Sequence, residues 1–221
     1  MASRWDPRGP RVAGALIRVG IVDDHPVVAE GTAAILRAQD DLEVVGVAPS
    51  IEAARDAGLF DAARVDVLLL DIRLGSASGL TALTPERTDL TGTRPAVIVL
   101  TAYDYPQYAE AALRLGAAGF VLKTAPLTEL IDAIRRVAAG GLAFGVRPGR
   151  GGIRLSPREH DVVRLVADGR TNDEIGAEIG IAAKTVETHL ARLFERLGVV
   201  SRTDLAMRAV REGWLDVPPD P

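Results

Sequence analysis

No cysteine occurs anywhere in the 221 residues. That excludes disulfides, thiolate metal sites and a cysteine nucleophile. Histidine is nearly as scarce: His25, His160 and His189 lie far apart and lack metal-ligand spacing. Long apolar runs are missing too. "VLLL" and "VAGALI" fall far short of a bilayer span. Residues 1–16 carry arginines and prolines but no apolar stretch of signal-peptide length, so they are expected to be a loose, disordered leader. The expectation is a cytoplasmic protein with no membrane partner. Lysine is the last scarcity. Of 26 basic residues only Lys123 and Lys184 are lysine, against 24 arginines. A lysine among so many arginines fits two readings. One is drift in a chain that favours arginine codons. The other is a tight anion pocket, where a compact ammonium suits better than a planar guanidinium.

Hydrophobic residues make up 48% of the chain, ample for a core, and the length allows one large or two small domains. Net charge is −4 and unevenly placed: residues 1–140 sum to −4 and residues 141–211 to +3. The first part alternates short Val/Ile/Leu runs with helical patterns. The runs are "IRVGIV" (17–22), "LEVVGVA" (42–48), "VDVLLL" (65–70), "PAVIVL" (95–100) and "GFVL" (119–122). They are apolar throughout, as strands covered on both faces are. Five such units predict an α/β fold, a doubly wound five-stranded parallel sheet. Residues 140–154, with six glycines and a proline, read as a linker. Beyond it "SPRE" and "TNDE" are capping boxes, and Gly169, Gly180, Gly198 and Gly213 stand where helices should stop. Four helices are predicted, near 157–168, 172–179, 183–197 and 202–212. The middle pair, joined by "GIA", has the form of a helix-turn-helix. A small helical bundle with no role in DNA binding fits that pattern equally well.

Ligands of an open parallel sheet bind at the carboxyl ends of its strands. Asp23 and Asp24 follow the first run, Asp71 the third, Thr101 the fourth and Lys123 the fifth. Three carboxylates on one rim repel unless a cation lies among them. Oxygen ligands with open positions suit Mg²⁺ shared with a phosphate. The hydroxyl and the ammonium complete an anion site.

"IVDDHP", "LLLDIRLGSASG", "VIVLTAYD" and "GAAGFVLKT" resemble the flavodoxin-like receiver domain of two-component response regulators. "LSPREHDVVRLVADGRTNDEIGAEIGIAAKTVETHLARLFERLGV" resembles the LuxR-type helix-turn-helix. Together they are similar to the NarL/FixJ family over residues 17–215. The resemblance implies a receiver at 17–139, a linker at 140–154, a four-helix DNA-binding domain at 155–216 and a tail at 217–221. It implies that Asp71 accepts a phosphoryl group from a sensor histidine kinase. Asp24, Asp71 and the Arg73 backbone carbonyl would hold Mg²⁺ directly, and Asp23 through a water. Thr101 and Lys123 would contact the phosphoryl group. Phe120 would read out the movement of Thr101, although an ordinary core phenylalanine fits nearly as well. The switching surface would run from Thr101 to Phe120 and take in the helix near 106–115, with Arg73 and Tyr103 flanking the phosphoryl site.

In the second domain, residues 183–197 would be the recognition helix, with Val186, Leu190, Leu193 and Leu197 buried. Lys184 and Thr185 would hold phosphates, Glu187 and Thr188 would face base edges, and Arg192 would reach guanine or a phosphate. Thr171 and Asn172 join this DNA-binding set. The implied partners are promoter DNA with inverted-repeat half-sites, a second copy of the chain and RNA polymerase. The family is not classed as enzymes.

Three departures stand out. Leu74-Gly75 replaces the usual Met-Pro. Pro85 interrupts the third helical segment. Ala182 replaces the usual Ser cap, which costs about 1 kcal/mol of helix stability. Two rivals remain. A haloacid-dehalogenase-type phosphohydrolase would need an acid two residues after its nucleophile, where Arg73 stands. An interaction module that binds DNA without phosphorylation would leave the acid rim unused.

Overall fold

The computed structural model describes residues 15–75, 77–84, 94–145 and 153–219. Most of the expected leader, the interruption at Pro85 and much of the expected linker lie outside these residues. The chain divides into two compact units, residues 1–104 with 108–148 and residues 149–221 with 105–107.

The first unit is built on a parallel sheet. Its strands are β1 (Ile17–Val22), β2 (Leu42–Ala48), β3 (Val67–Asp71), β6 (Ala96–Thr101), β7 (Gly119–Leu122) and β8 (Ala143–Phe144), in the order β2-β1-β3-β6-β7-β8. A separate antiparallel pair, β4 (Arg73–Leu74) and β5 (Ala77–Ser78), follows β3 and leads into a 3-10 turn at Gly79–Leu83. Every residue of β3 and β6 is buried, as their unbroken apolar runs predict. Around the sheet stand α1 (Pro26–Arg37), α2 (Ile51–Asp56), α3 (Pro106–Arg114) and α4 (Leu127–Ala138). Helix α4 lays Leu130, Ile131, Ile134 and Val137 against β-strand residues Ile98, Leu100 and Val121 in one cluster.

The five predicted strands are present, and the sheet has a sixth. Ala143–Phe144 pairs in parallel with Gly119 and Phe120 of β7. Ala143 N–H donates to Ala118 O at 2.9 Å and Gly145 N–H to Phe120 O at 3.1 Å. The sequence reading places these residues in the linker. Two residues are too few to show an alternation or an apolar run, so the edge of β7 recruits them through these backbone bonds and through burial of Ala143 in the core cluster.

The second unit is helical: α5 (Pro157–Ala167), α6 (Asn172–Ile179), α7 (Ala183–Leu197) and α8 (Arg202–Arg211). Its boundaries follow local chemistry. Ser156 and Thr171 each form a complete capping box, with Glu159 and Glu174 respectively. Gly180 and Gly198 close α6 and α7 in the left-handed conformation, with φ of 71° and 63°. Ala182 starts α7 without a side-chain cap. Val162, Ile175, Val186, Leu190, Leu193, Leu205 and Trp214 form the core. Gly176 of α6 lets α7 begin close by, since a Cβ there would stand 2.5 Å from Ile181 O.

Candidate phosphoacceptor and nucleic-acid sites

The parallel register brings the strand ends of the first unit to one rim. Asp23 and Asp24 follow β1 directly, Asp71 closes β3, Thr101 closes β6 and Lys123 follows β7. Asp23 and Asp71 are each 5% exposed and Thr101 is 1% exposed. The Lys123 ammonium bridges the two buried acids, 2.7 Å from Asp23 Oδ2 and 2.6 Å from Asp71 Oδ2. Backbone bonds hold that lysine in place: its own N–H donates to Thr101 O at 2.7 Å. One nitrogen satisfying two carboxylates is a contact that a compact ammonium makes more readily than a planar fork.

Asp24 is held differently. Gly75 N–H donates to its Oδ2 at 2.8 Å. His25 Nδ1 lies 2.7 Å from its Oδ1, yet that buried oxygen has no hydrogen bond of acceptable geometry. One atom from each of Asp23, Asp24, His25 and Asp71 can be chosen within 4.8 Å of the others. The rim is therefore an acidic pocket. Thr101 Oγ1 accepts from Tyr103 N–H at 3.2 Å, and the Arg73 guanidinium lies over the Tyr103 ring, 4.2 Å from its centroid. Phe120 is fully buried on β7, opposite Val99 and two residues before the carboxyl end of the strand.

Burial pushes the Asp71 carboxyl above its ordinary range, and the Lys123 hydrogen bond only partly offsets this. Burial also works against the Lys123 charge, but its bonds to Asp23 and Asp71 outweigh it and hold the ammonium above its usual value. An acid whose folded pKa is raised contributes stability that is present below its unfolded value and lost as pH rises through the folded value. Without divalent cations, Asp71→Asn is thus expected to be more stable than the parent at pH 7, by on the order of 1 kcal/mol. The gap should close as the pH falls toward 4. Urea denaturation from pH 4 to 8 measures it, and an Asn variant less stable at neutral pH would contradict this electrostatic account.

In the second unit, α7 shows a buried stripe of Val186, Leu190, Leu193 and Leu197. Lys184, Thr185, Glu187, Thr188 and Arg192 are exposed. Five of the expected contact residues already have partners, Glu187 through Lys184 and Thr188 through its hydroxyl, which donates to Lys184 O at 3.0 Å. Lys184 Nζ lies 2.7 Å from Glu187 Oε2. The Thr171 hydroxyl is engaged with Glu174 as a cap. Asn172 Oδ1 accepts from Arg202 Nη1 at 2.9 Å. Sequence reasoning missed Gly75 as a partner of Asp24. A glycine four residues beyond Asp71, in the loop after the acid strand, was the available signal.

Family models agree with this layout. The response regulator receiver domain matches residues 19–135, and the luxR family of bacterial regulatory proteins matches residues 154–209. The transcriptional regulatory protein UhpA of Salmonella typhimurium is 38% identical over 205 residues, covering 90% of this chain and 100% of UhpA. The probable transcriptional regulatory protein NarL of Mycobacterium tuberculosis is 36% identical over 212 residues, covering 90% of this chain and 96% of NarL. Among solved structures, RcsB of Salmonella enterica serovar Typhimurium is similar at a TM-score of 0.58 and 26% identity, over 87% of this chain and 97% of RcsB. That protein is bound to promoter rprA in the presence of the phosphomimetic BeF3-. A structure of two RcsB dimers bound to two parallel DNAs gives a TM-score of 0.58 at 27% identity, over 88% of this chain and 98% of that one. A receiver match over more than half the chain, and relatives aligned along nearly all of it, agree with the acid rim and the helical unit: this chain belongs to the two-component response regulators that join a receiver domain to a luxR-type DNA-binding domain and act in transcription.

Proposed function

We propose that Asp71 is the phosphoacceptor, and that its modification by a sensor histidine kinase favours dimerisation and promoter binding. The observation carrying this is the Lys123 ammonium bridging Asp23 and Asp71 at the strand-end rim. In the transfer, an Asp71 oxygen forms a bond to phosphorus as the bond from phosphorus to the donor's imidazole nitrogen breaks. Lys123 then follows the charge onto the phosphoryl oxygens. The Thr101 hydroxyl donates a hydrogen bond to one of them, and its displacement reaches Phe120 through β6 and β7. Arg73 and Tyr103 stand at the mouth of the site.

The residues present fit Mg²⁺. The donor set is mainly carboxylate oxygen, and one buried Asp24 oxygen has no hydrogen bond. Asp24, Asp71 and the Arg73 carbonyl would hold the ion, with Asp23 acting through a water. When bound, it would neutralise charge developing on the transferring group. On this reading residues 17–139 act as the receiver, 140–154 as the linker and 155–216 as the DNA reader in a cytoplasmic homodimer that works with RNA polymerase. Residues 1–16 and 217–221 are leader and tail. No helix among the described residues is long and apolar enough to cross a membrane.

The test is intact mass after incubation with Mg²⁺ and a small acyl phosphate. Parent protein should gain one phosphoryl group and Asp71→Asn none. No gain with several donors, in folded protein that binds Mg²⁺, would favour a regulator working without phosphorylation.

For DNA, α7 is placed in the major groove with Lys184 and Thr185 on phosphates, Glu187 and Thr188 toward base edges, Arg192 on guanine or phosphate, and Thr171 and Asn172 on the flanking backbone. The Lys184–Glu187 pair holds back one cation. Glu187→Gln is expected to tighten binding and to steepen log K against log salt by about 0.9. Exposed pairs add at most about 1 kcal/mol to stability, so the fold should be unaffected. An unchanged slope in fluorescence-anisotropy titrations would remove Lys184 from the phosphate-contacting set.

A further inference from the structure

At the opposite end of the sheet from Asp71 lies a cavity of about 320 Å³. It opens at the amino ends of β6, β7 and β8, about 17 Å along β6 from the acid rim by strand rise. Its walls are largely apolar: Leu83, Ala96, Ala118, Val137 and Leu142. Leu142, at its mouth, is 61% exposed.

The polar groups at its edge carry one sign. Arg94 lines the cavity, and its only hydrogen bond to a described residue is from Nη1 to Ala82 O, a weak contact at 3.3 Å. Phe60 also lines it, and the Arg55 guanidinium lies over that ring, 5.0 Å from the centroid. Arg55 Nη2 is buried with no hydrogen-bond partner. Burial, and then the charge of Arg55, hold the Arg94 guanidinium below its usual value, so each cation lies within the other's field. Among the described residues no carboxylate pairs with either. Two half-buried guanidiniums in mutual repulsion, one with an orphaned buried N–H group, form an arrangement completed by an anion.

We propose that this cavity binds a small organic monoanion, a carboxylate on a compact apolar body, with the carboxylate between Arg94 and Arg55 and the body against Leu83, Ala118 and Leu142. A carboxylate matches the planar guanidinium fork. The volume lies at the low end for ligand pockets, which selects a compact body. Inorganic phosphate would leave the apolar walls bare. The site shares no residue with the acid rim, so a regulator switched at one end of its sheet would carry a metabolite site at the other.

The probes are 3-phenylpropionate and hexanoate, titrated into the full chain by calorimetry and by amide chemical shifts. The controls are 3-phenylpropan-1-ol and inorganic phosphate. Expected are saturable binding of both acids, shifts centred on Ala118 and Gly140–Leu142, and at least about tenfold weaker binding of the alcohol. Arg55→Met, at the rim, should weaken the acids about tenfold and leave the alcohol unchanged. Ala118→Leu should abolish both. The proposal is overturned if neither acid saturates, if acid and alcohol bind equally, if phosphate competes with equal affinity, if shifts centre on the Asp71 rim, or if Arg55→Met changes nothing. Phosphorylation of Asp71 is read separately by mass, so failure here leaves that reading standing.

Discussion

Lys123→Met should destabilise the receiver by about 3 kcal/mol at neutral pH, because removing one member of a buried ion cluster strands the others. The stranded groups are the carboxylates of Asp23 and Asp71, each 5% exposed and each within 2.7 Å of the same nitrogen. Methionine matches the apolar stem and removes the terminal ammonium with its charge and donors, so packing loss along the stem is small. Without the ammonium, both anions are left without their partner in a buried site, and the Asp71 carboxyl, already raised by burial, is pushed up further. A raised acid contributes stability below its unfolded value and loses it as pH rises through the folded one. The deficit should therefore be largest near pH 7 and shrink on acidification. A divalent cation should recover part of it, having the charge the cluster lacks. Lys123→Arg should recover less than its charge suggests, since a guanidinium spreads donors across a plane where one nitrogen serves both acids. The double variant with Asp71→Asn should be well short of additive, with a coupling of about 1 kcal/mol or more. Urea denaturation of the four proteins with and without Mg²⁺ provides the cycle. Additive effects with no pH dependence would make Lys123 a packing residue.

How much of this was legible in the sequence differs between the units. The helical unit announces itself because its boundaries are local. Ser156 with Glu159 and Thr171 with Glu174 are three residues apart, and Gly180 and Gly198 stop helices by their own backbone freedom. The acid rim was legible for another reason. In a parallel sheet every strand ends at the same edge, so five residues at the ends of four apolar runs must converge. The rest depends on contacts between distant positions. Ala143–Phe144 joins the sheet by meeting the edge of β7. Gly75 reaches Asp24 across 51 positions. The Lys184–Glu187 pair is local, yet only side-chain geometry shows that the cation is already engaged. The switching role of Phe120 rests on resemblance, and its complete burial is what a core phenylalanine has as well.

Gly79→Ala is expected to damage the receiver as severely as loss of Lys123, through the backbone. Gly79 follows the β4–β5 pair, and its N–H donates to Ile72 O at 2.6 Å. A Cβ there would overlap the carbonyl oxygen of Asp71 itself and stand 3.3 Å from the Leu70 side chain. The obstacle is a main-chain oxygen in a fully buried strand, which cannot swing aside as a side chain can. Either the 3-10 turn at Gly79–Leu83 withdraws and leaves Leu80 and Leu83 exposed, or Asp71 is displaced from Lys123. Both outcomes lower stability by several kcal/mol, in the range seen for overpacked cores. Gly75 in the same connection supplies the contrast. It has φ of 62° and open space around its Cβ position, so Gly75→Ala meets only backbone strain of about 1–2 kcal/mol. Its N–H can still reach Asp24. The two alanines are thus ordered in advance: Gly79→Ala should unfold at lower urea and take up little phosphate from an acyl-phosphate donor, while Gly75→Ala remains folded and modifiable. If the two behave alike, close approach to the Asp71 carbonyl does not set the geometry of the phosphoacceptor. Equal uptake in Gly79→Ala and the parent protein would show that this loop can retreat without moving Asp71.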